Sequence, residues 1–257
     1  MNKLFICLSL VLLIFTSCVS KKNILYFQDA DKYSSQNITK LEYKIQTNDI
    51  LSITITSLLP ETAEPYNSLT NNAGSSNNVN IESMKLRGYL VSNIGEIEMP
   101  ILGIISAKNK TLFQLTKEIK NLLEQGGHLT KPGVTIRVLN SKVTILGEVN
   151  SPGTYSFTEQ YISLPQALGY AGDLTISGKR KDVLLIRESE GMRTVTHIDL
   201  TTANWMNDSK YTIQPNDVII VNPNTKKTQT GGYNIGDLGT LLSLSSFLIS
   251  LIFLFKK

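Results

Sequence analysis

A strand–turn–strand pattern in residues 143–157 constrains the fold of this chain more than any other feature. Residues 143–149 alternate between apolar and polar side chains, which predicts a β-strand. Residues 150–153 end in Pro-Gly and predict a tight turn, because proline presets φ and glycine accepts positive φ. We therefore expect positive φ at Gly153. Residues 154–157 then return as the second strand of a hairpin.

A short helix is predicted directly after the hairpin. Ser163 can cap its first turn, Pro165 is tolerated there, and Gly172 is typical of its end. The hairpin carries the pattern V-x-I-x-G-x-V-x-x-P-G, and the helix carries L-x-x-A-L-x-x-A-G. Together they resemble a soluble-ligand-binding β-grasp (SLBB) domain, a domain type that recurs in outer-membrane polysaccharide export proteins.

A second motif lies upstream of the hairpin. Residues 89–103 predict two short strands on either side of a turn at Gly95. Their pattern V-x-x-x-G-x-I-x-x-P-x-x-G resembles the polysaccharide export domain of the same protein family. Residues 111–125 follow as a predicted helix, which begins with a capping box of Thr111 and Gln114.

Two short segments of the chain are similar to each other. I-Q-T-N-D-I starts at Ile45, and I-Q-P-N-D-V starts at Ile213. Each predicts a strand that follows a tight Asn-Asp turn, and Asn48 suits the turn because asparagine tolerates the left-handed conformation. A single pair of similar segments does not predict a repeat architecture.

The combined patterns predict an α+β protein with two small periplasmic α/β domains and a C-terminal transmembrane helix. The expected segments are a lipoprotein signal peptide (1–17), a lipid-anchored tether (18–42), the polysaccharide export domain (43–139), a β-grasp-like SLBB domain (140–223), a linker (224–237) and the transmembrane helix (238–255). We expect the tether to pack on the first domain. Residues 57–83 are rich in Ser, Asn, Thr and Pro and predict a long exposed loop.

The N-terminus predicts a lipid anchor. Lys3 and the apolar run 4–15 are typical of a secretory signal, and the run is too short to span a membrane comfortably. Thr16-Ser17-Cys18 then resembles a lipobox, so we expect cleavage before Cys18 and a diacylglyceryl group on its thiol. The alternative is an ordinary signal peptide. Cys7 would be removed with the signal, which leaves no disulfide in the mature protein.

The C-terminus predicts a membrane span. Residues 238–255 carry no charge and, at ~1.5 Å per residue, are long enough to cross roughly 27 Å of hydrocarbon. A seam of small residues recurs at spacings of three and four: Gly236, Gly239, Ser243, Ser246 and Ser250. One interpretation is an isolated helix whose serines bond their own backbone. The other is close packing between the helices of identical subunits.

The sequence contains no pattern that predicts catalysis. His197 and Asp199 would share one strand face, but no nucleophile accompanies them, and the other histidine, His128, is distant in sequence. Metal-ligand clusters and phosphate-binding glycine motifs are absent from the sequence. The net charge of +4 is scattered, which argues against nucleic acid. We therefore expect neither an enzyme nor a cofactor.

The family resemblance implies export of capsular polysaccharide or exopolysaccharide across the outer membrane by passive conduction. It also implies a homo-oligomeric ring, commonly an octamer, and an inner-membrane partner that is a chain-length regulator or a tyrosine autokinase. The protein would be lipid-anchored at the outer membrane with periplasmic domains. Two other functions remain open: a monomeric periplasmic lipoprotein that binds a glycan or cofactor, and a structural adaptor held in the inner membrane by the C-terminal helix.

Overall fold

The computed structural model describes residues 23–33, 42–67, 81–189 and 191–224, together with Ser243 and Ser246. Two separate clusters of buried apolar side chains organise these residues, one built from positions 45–136 and the other from positions 143–221. We call residues 42–139 the first domain and residues 142–224 the second domain. Short strands and short helices form both domains, which confirms the predicted α+β class.

The first domain is built on a small antiparallel sheet. Its strands are β1 (Ile50–Thr56), β2 (Tyr89–Leu90), β3 (Glu96–Met99), β4 (Gly103–Ser106) and β5 (Gly133–Val138). The sheet has the order β2-β1-β5, which leaves β5 at its edge, and β3 pairs with β4 in a separate hairpin. The turn before β3 has Gly95 at φ +91°, in agreement with the predicted turn.

The helices of the first domain are α1 (Pro60–Ala63), α2 (Ile81–Lys85) and α3 (Leu112–Gln125). Helix α3 confirms the predicted capping box: the Gln114 N–H donates to Thr111 Oγ1 at 3.2 Å, and the Thr111 N–H donates to the Gln114 side chain at 2.9 Å. Its buried stripe repeats every four residues, at Leu115, Ile119 and Leu123.

The predicted loop at residues 57–83 is wrong at both ends, where α1 and α2 form. Residues 68–80 lie outside the described part of the chain. Asn67 follows α1, and its buried side chain accepts from the Ile55 N–H at 2.9 Å and donates to the Ile55 carbonyl at 2.7 Å. An amide that satisfies both backbone groups of one strand residue holds this segment against β1, and sequence composition alone does not reveal such a contact.

The second domain has the strands β6 (Lys142–Gly147), β7 (Gly153–Ser156), β8 (Ile162–Ser163), β9 (Gly178–Ser189), β10 (Met192–Ile198), β11 (Thr212–Ile213) and β12 (Val218–Pro223), and the helix α4 (Leu164–Tyr170). Its main sheet has the order β10-β9-β12-β6-β7, with β12 parallel to β6. Ser163 caps α4 together with Gln166, and Pro165 lies in the first turn, as predicted.

The hairpin of β6 and β7 corrects one prediction. Gly153 does not have positive φ, and a Cβ built on it would approach nothing closer than the Tyr155 hydroxyl, at 3.7 Å. The positive φ lies at Gly147 instead, at +90°, where a Cβ would come within 2.1 Å of the Val221 carbonyl oxygen. Gly153 already belongs to the extended strand β7, whereas Gly147 lies where β12 approaches the end of β6 most closely.

The prediction of a C-terminal transmembrane helix is wrong. Among the residues that the structure describes, no helix is long and apolar enough to cross a membrane. The longest described helix, α3, has 14 residues and carries charged side chains on its exposed face, so it falls short of the ~20 apolar residues that a span requires. Within positions 238–255, only Ser243 and Ser246 are described.

Candidate functional site

The two histidines do not form a catalytic arrangement. His197 Nδ1 lies 2.5 Å from Asp182 Oδ1, on an exposed part of β10, whereas Asp199 accepts from the Thr201 backbone N–H. His128 packs its ring edge against Tyr66 with 5.9 Å between the centroids. The predicted face of His197 and Asp199 is therefore not a general-base pair. Within the described ranges, no group of His, Cys, Asp or Glu is arranged to hold a metal ion.

The described part of the tether, residues 23–33, packs on the second domain. The Phe27 ring lies against Trp205 in a tilted arrangement with 5.5 Å between the ring centroids, and the Phe27 N–H donates to the Leu200 carbonyl at 3.1 Å. Asp29 accepts from the Ala203 backbone N–H at 2.7 Å. The prediction that the tether packs on the first domain is therefore wrong.

Polar contacts reinforce the tether at a second point. The Tyr26 hydroxyl donates to Asp173 Oδ1 at 2.5 Å, and the Arg180 guanidinium lies over the Tyr26 ring, 5.3 Å from its centroid. Burial raises the pKa of the Tyr26 hydroxyl, and the hydrogen bond to Asp173 raises it further. The hydroxyl therefore stays protonated and keeps donating to Asp173 at neutral pH.

Replacing Phe27 with alanine should destabilise the second domain by about 2 kcal/mol, because the ring contact with Trp205 and the apolar burial are both lost. Trp205 is the only tryptophan of the chain, so its fluorescence during urea unfolding reports on this domain. Leu25→Ala is the matched control, since Leu25 is 56% exposed in the same segment. Equal unfolding midpoints for the two variants would contradict the packing described here.

The two Asn-Asp turns have the same geometry, which confirms the prediction from the two similar segments. Asn48 and Asn216 both have φ of +68°. The carboxylates of Asp49 and Asp217 are buried, and each accepts from the backbone N–H three residues upstream at 2.8 Å. An asparagine in the left-handed conformation followed by a buried aspartate therefore closes the same turn in both domains.

The domains are joined by a short interdomain linker, Asn140-Ser141. The Asn140 side chain accepts from the Ile50 N–H at 2.9 Å and donates to the Asn48 carbonyl at 2.8 Å. On the other side, the Phe157 N–H donates to the Ser141 carbonyl at 3.1 Å. The short linker is thus bonded to both domains, and this restricts how the two domains turn relative to each other.

The two buried aspartates differ in their partners. Asp49 accepts from the Tyr43 hydroxyl at 2.7 Å, whereas Asp217 forms a bidentate ion pair with Arg187 at 2.9 and 2.6 Å. Burial raises the pKa of Asp49, and its hydrogen bonds oppose that shift. Burial also raises the pKa of Asp217, and the Arg187 guanidinium opposes it. Because of this ion pair, the stability of the second turn depends more on electrostatic attraction than the stability of the first turn does.

A groove runs between the two domains beside the edge strand β5. Its larger part has a volume of about 540 Å³, with β5, the start of α3, and residues 158–160 on its walls. A smaller cleft of about 150 Å³ adjoins it. The two share four lining residues, which are Tyr43, Leu112, Phe113 and Gln160, so they form one continuous depression. We call it the interdomain groove.

Phe113 is the most exposed apolar side chain in the interdomain groove. It is 74% exposed and lies in the first turn of α3, apart from the buried stripe of that helix. None of the sequence patterns pointed to Phe113. The available signal was a large aromatic residue two positions after the helix cap Thr111, outside the apolar stripe of the helix.

Most of the site residues predicted from the sequence lie outside the described chain. They are Cys18, Gly236, Gly239 and Ser250. Ser243 and Ser246 are described and exposed, and the Ser246 hydroxyl donates to the Ser243 carbonyl at 2.9 Å. That bond is of the kind expected if the serines bond their own backbone. Lipidation of Cys18 and the packing seam stay predictions.

Family models match the chain in the order that the motifs predict. The model for polysaccharide biosynthesis/export proteins matches residues 38–139, and the model for SLBB domains matches residues 141–221. The chain therefore contains a region similar to polysaccharide biosynthesis/export proteins, followed by an SLBB domain. The resemblance seen in the Gly95 motif and in the hairpin is thereby confirmed, and the two matched regions contain the two hydrophobic cores of the structure.

Two curated relatives of this chain carry the name EPS I polysaccharide export outer membrane protein EpsA. The protein of Ralstonia solanacearum is 30% identical over 146 residues, which is 52% of this chain and 36% of the relative. The protein of Ralstonia nicotianae is 32% identical over 151 residues, which is 56% of this chain and 38% of the relative. The similarity therefore spans well under half the length of either relative.

Proposed function

We propose that this protein takes part in the export of a capsular polysaccharide or exopolysaccharide across the outer membrane, by passive conduction. The observation that carries the proposal is the export domain followed by the SLBB domain on one chain. Two relatives named for export of EPS I polysaccharide support it. Passive conduction makes and breaks no covalent bonds, so the proposed role requires no catalytic residue.

Cells that lack the protein should stop releasing the polysaccharide. We expect extracellular polysaccharide to fall at least tenfold on deletion and to return when the chain is supplied from a plasmid. Matched growth and membrane integrity are the control, since a general envelope defect would also reduce release. Normal extracellular polysaccharide in the deletion strain would contradict the proposal.

We propose further that a lipid on Cys18 anchors the protein to the periplasmic face of the outer membrane. The tether supports this arrangement. Four residues lie between Cys18 and Asn23, where the described tether begins, and the five Cα–Cα steps between the two reach at most about 18 Å when extended. Because the tether is bonded to the second domain, a lipid on Cys18 would hold that domain, rather than the first, close to the membrane surface.

Replacing Cys18 with alanine should abolish incorporation of labelled fatty acid, because the thiol that would accept the diacylglyceryl group is gone. The signal segment should then remain uncleaved by the lipoprotein peptidase. Cys7→Ala is the matched control and should label normally, since Cys7 lies within the segment that is removed. Unchanged labelling of the Cys18 variant would refute the lipid anchor.

We propose that several copies of the protein assemble into a ring and that an inner-membrane chain-length regulator or tyrosine autokinase contacts it. Exposed apolar residues on the first domain support contacts of this kind: Leu86 is 90% exposed, Ile94 72% and Ile104 69%. Ile101 adds a β-branched residue at φ +68° that is 58% exposed at the β3–β4 turn. Unfavourable backbone geometry in an exposed apolar residue is typical of functional surfaces.

Imaging the detergent-extracted particle tests the assembly. A closed ring of identical subunits would support the conduit, whereas a monomer with a saturable glycan site would support the alternative of a periplasmic receptor. The adaptor alternative required a C-terminal membrane helix, and no helix of that kind lies among the described residues.

A further inference from the structure

We propose that the interdomain groove binds an extended oligosaccharide segment of the exported polymer. The inference rests on the proposed export function and assigns a contact site to it. The groove has the size of a ligand site, since its larger part of about 540 Å³ falls within the usual ~300–1,000 Å³. The adjoining cleft of about 150 Å³ lengthens it, and this shape favours a chain over a compact ligand.

Phe113 and Tyr161 supply the exposed aromatic surfaces of the groove. Phe113 lines both of its parts, Tyr161 lines the smaller part, and their exposed fractions are 74% and 37%. A pyranose ring presents a face of C–H groups that packs on an aromatic ring, while its hydroxyls stay free to bond at the edges. One strongly exposed aromatic where two clefts meet is therefore suited to a sugar residue in the middle of a chain.

The groove also offers many polar groups beside these rings. Arg137 and Gln160 are exposed on its two sides, and among the described residues none forms a hydrogen bond or ion pair with the Arg137 side chain. The Leu139 N–H donates to the Ile50 carbonyl at 2.8 Å. Because backbone groups alternate along an antiparallel strand, those of Val138 and Ile136 point away from β1, toward the groove. Sugar hydroxyls can donate to and accept from such groups.

A protein contact is the competing occupant, and the lining favours the sugar. The only exposed large apolar side chains among the described groove residues are Phe113 and Tyr161. The first domain offers a larger exposed apolar set away from the groove, with Leu86 and Ile104 among its members. Cores of protein interfaces are depleted of charge, whereas this groove carries Arg137 and Glu159 on its walls.

Equilibrium titration of the full-length protein in detergent tests the proposal. The probe is a set of size-separated oligosaccharides made by partial acid hydrolysis of the polysaccharide that the cells release. We expect saturable binding that strengthens with oligosaccharide length. Phe113→Ala should weaken it at least tenfold and Arg137→Gln several-fold. Ile176→Ala is the matched control, an apolar residue of the second domain that is 69% exposed outside the groove, and it should bind as the unaltered protein does.

The titration distinguishes a lost binding contact from a folding defect. Phe113 is mostly exposed, so an unchanged melting temperature of its variant will show that the loss of oligosaccharide affinity is local. Equal affinity of the Phe113 variant and the unaltered protein, or the absence of saturable binding, would overturn the groove assignment. So would a Phe113 variant that loses its oligomeric state but keeps its affinity, because the groove would then be a subunit contact. The deletion experiment measures export and not binding. A negative result in the titration would therefore overturn the groove assignment and leave the export proposal to its own test.

Discussion

Replacing Gly147 with alanine is expected to destabilise the second domain by about 3 kcal/mol, the sum of an unfavourable backbone and a steric clash. Gly147 has φ of +90°, and an added Cβ would lie 2.1 Å from the Val221 carbonyl oxygen. The clash involves a backbone atom rather than a flexible side chain. It can therefore be relieved only if β6 and β12 move apart. These strands are the parallel pair inside the main sheet.

Gly153→Ala provides the matched control for Gly147→Ala. Both glycines belong to the same hairpin, but the nearest atom to a Cβ at Gly153 is 3.7 Å away. We expect the control to change the free energy of unfolding by less than about 1 kcal/mol. Urea unfolding followed through Trp205 measures both variants. A Gly147 variant no less stable than the Gly153 variant would contradict the described approach of β12.

Replacing Asp217 with alanine should cost about 3–5 kcal/mol, because it leaves the Arg187 guanidinium, which is 15% exposed, without its carboxylate. The variant also removes the acceptor for the backbone N–H of Gln214. Substituting both partners with apolar residues should recover part of this loss, since no unpaired charge then remains buried. Unfolding of the second domain, followed through Trp205 fluorescence, again gives the measurement.

The equivalent turn in the first domain supplies an internal comparison. Asp49→Ala removes the same backbone acceptor, but the group left behind is the neutral Tyr43 hydroxyl, so we expect a smaller cost of about 1–3 kcal/mol. Trp205 does not report on the first domain, so hydrogen exchange of the β1 amides measures this variant. A cost for Asp49→Ala equal to that for Asp217→Ala would show that the ion pair adds nothing to the turn.

The features predicted correctly from the sequence are those that depend on neighbouring residues. The capping boxes at Thr111 and Ser163 involve residues three positions apart, and the left-handed asparagine at position 48 is a local property of its turn. Such signals can be read without knowing the fold. The order of the two domains could be predicted for the same reason, since each has a short motif of its own.

The features that were missed depend on contacts between distant parts of the chain. Gly147 and Gly153 look equivalent in the sequence, and only the position of β12 makes Gly147 the one that needs positive φ. The tether precedes the first domain in sequence, but its Phe27 packs against Trp205 of the second domain. The interdomain groove requires both domains to be placed, so Phe113 had no visible partner in the sequence.

The predicted membrane helix failed for a different reason. Its prediction depended only on length and the absence of charge, and these properties permit a span without requiring one. The repeated Gly and Ser residues at positions 236–250 already made that segment less apolar than its lack of charge implied. Of this segment only Ser243 and Ser246 are described, and the Ser246 hydroxyl donates to the Ser243 carbonyl.

A pulse-label measurement tests the central proposal of polysaccharide export most directly. Cells with and without the protein receive a short pulse of labelled sugar, and the label is then followed in the periplasmic and extracellular polymer. If the protein exports polysaccharide, the deletion strain should make labelled polymer at first but retain it inside the envelope, and the plasmid-borne chain should restore its release. Labelled polymer that reaches the medium at the same rate in both strains would contradict the proposed function.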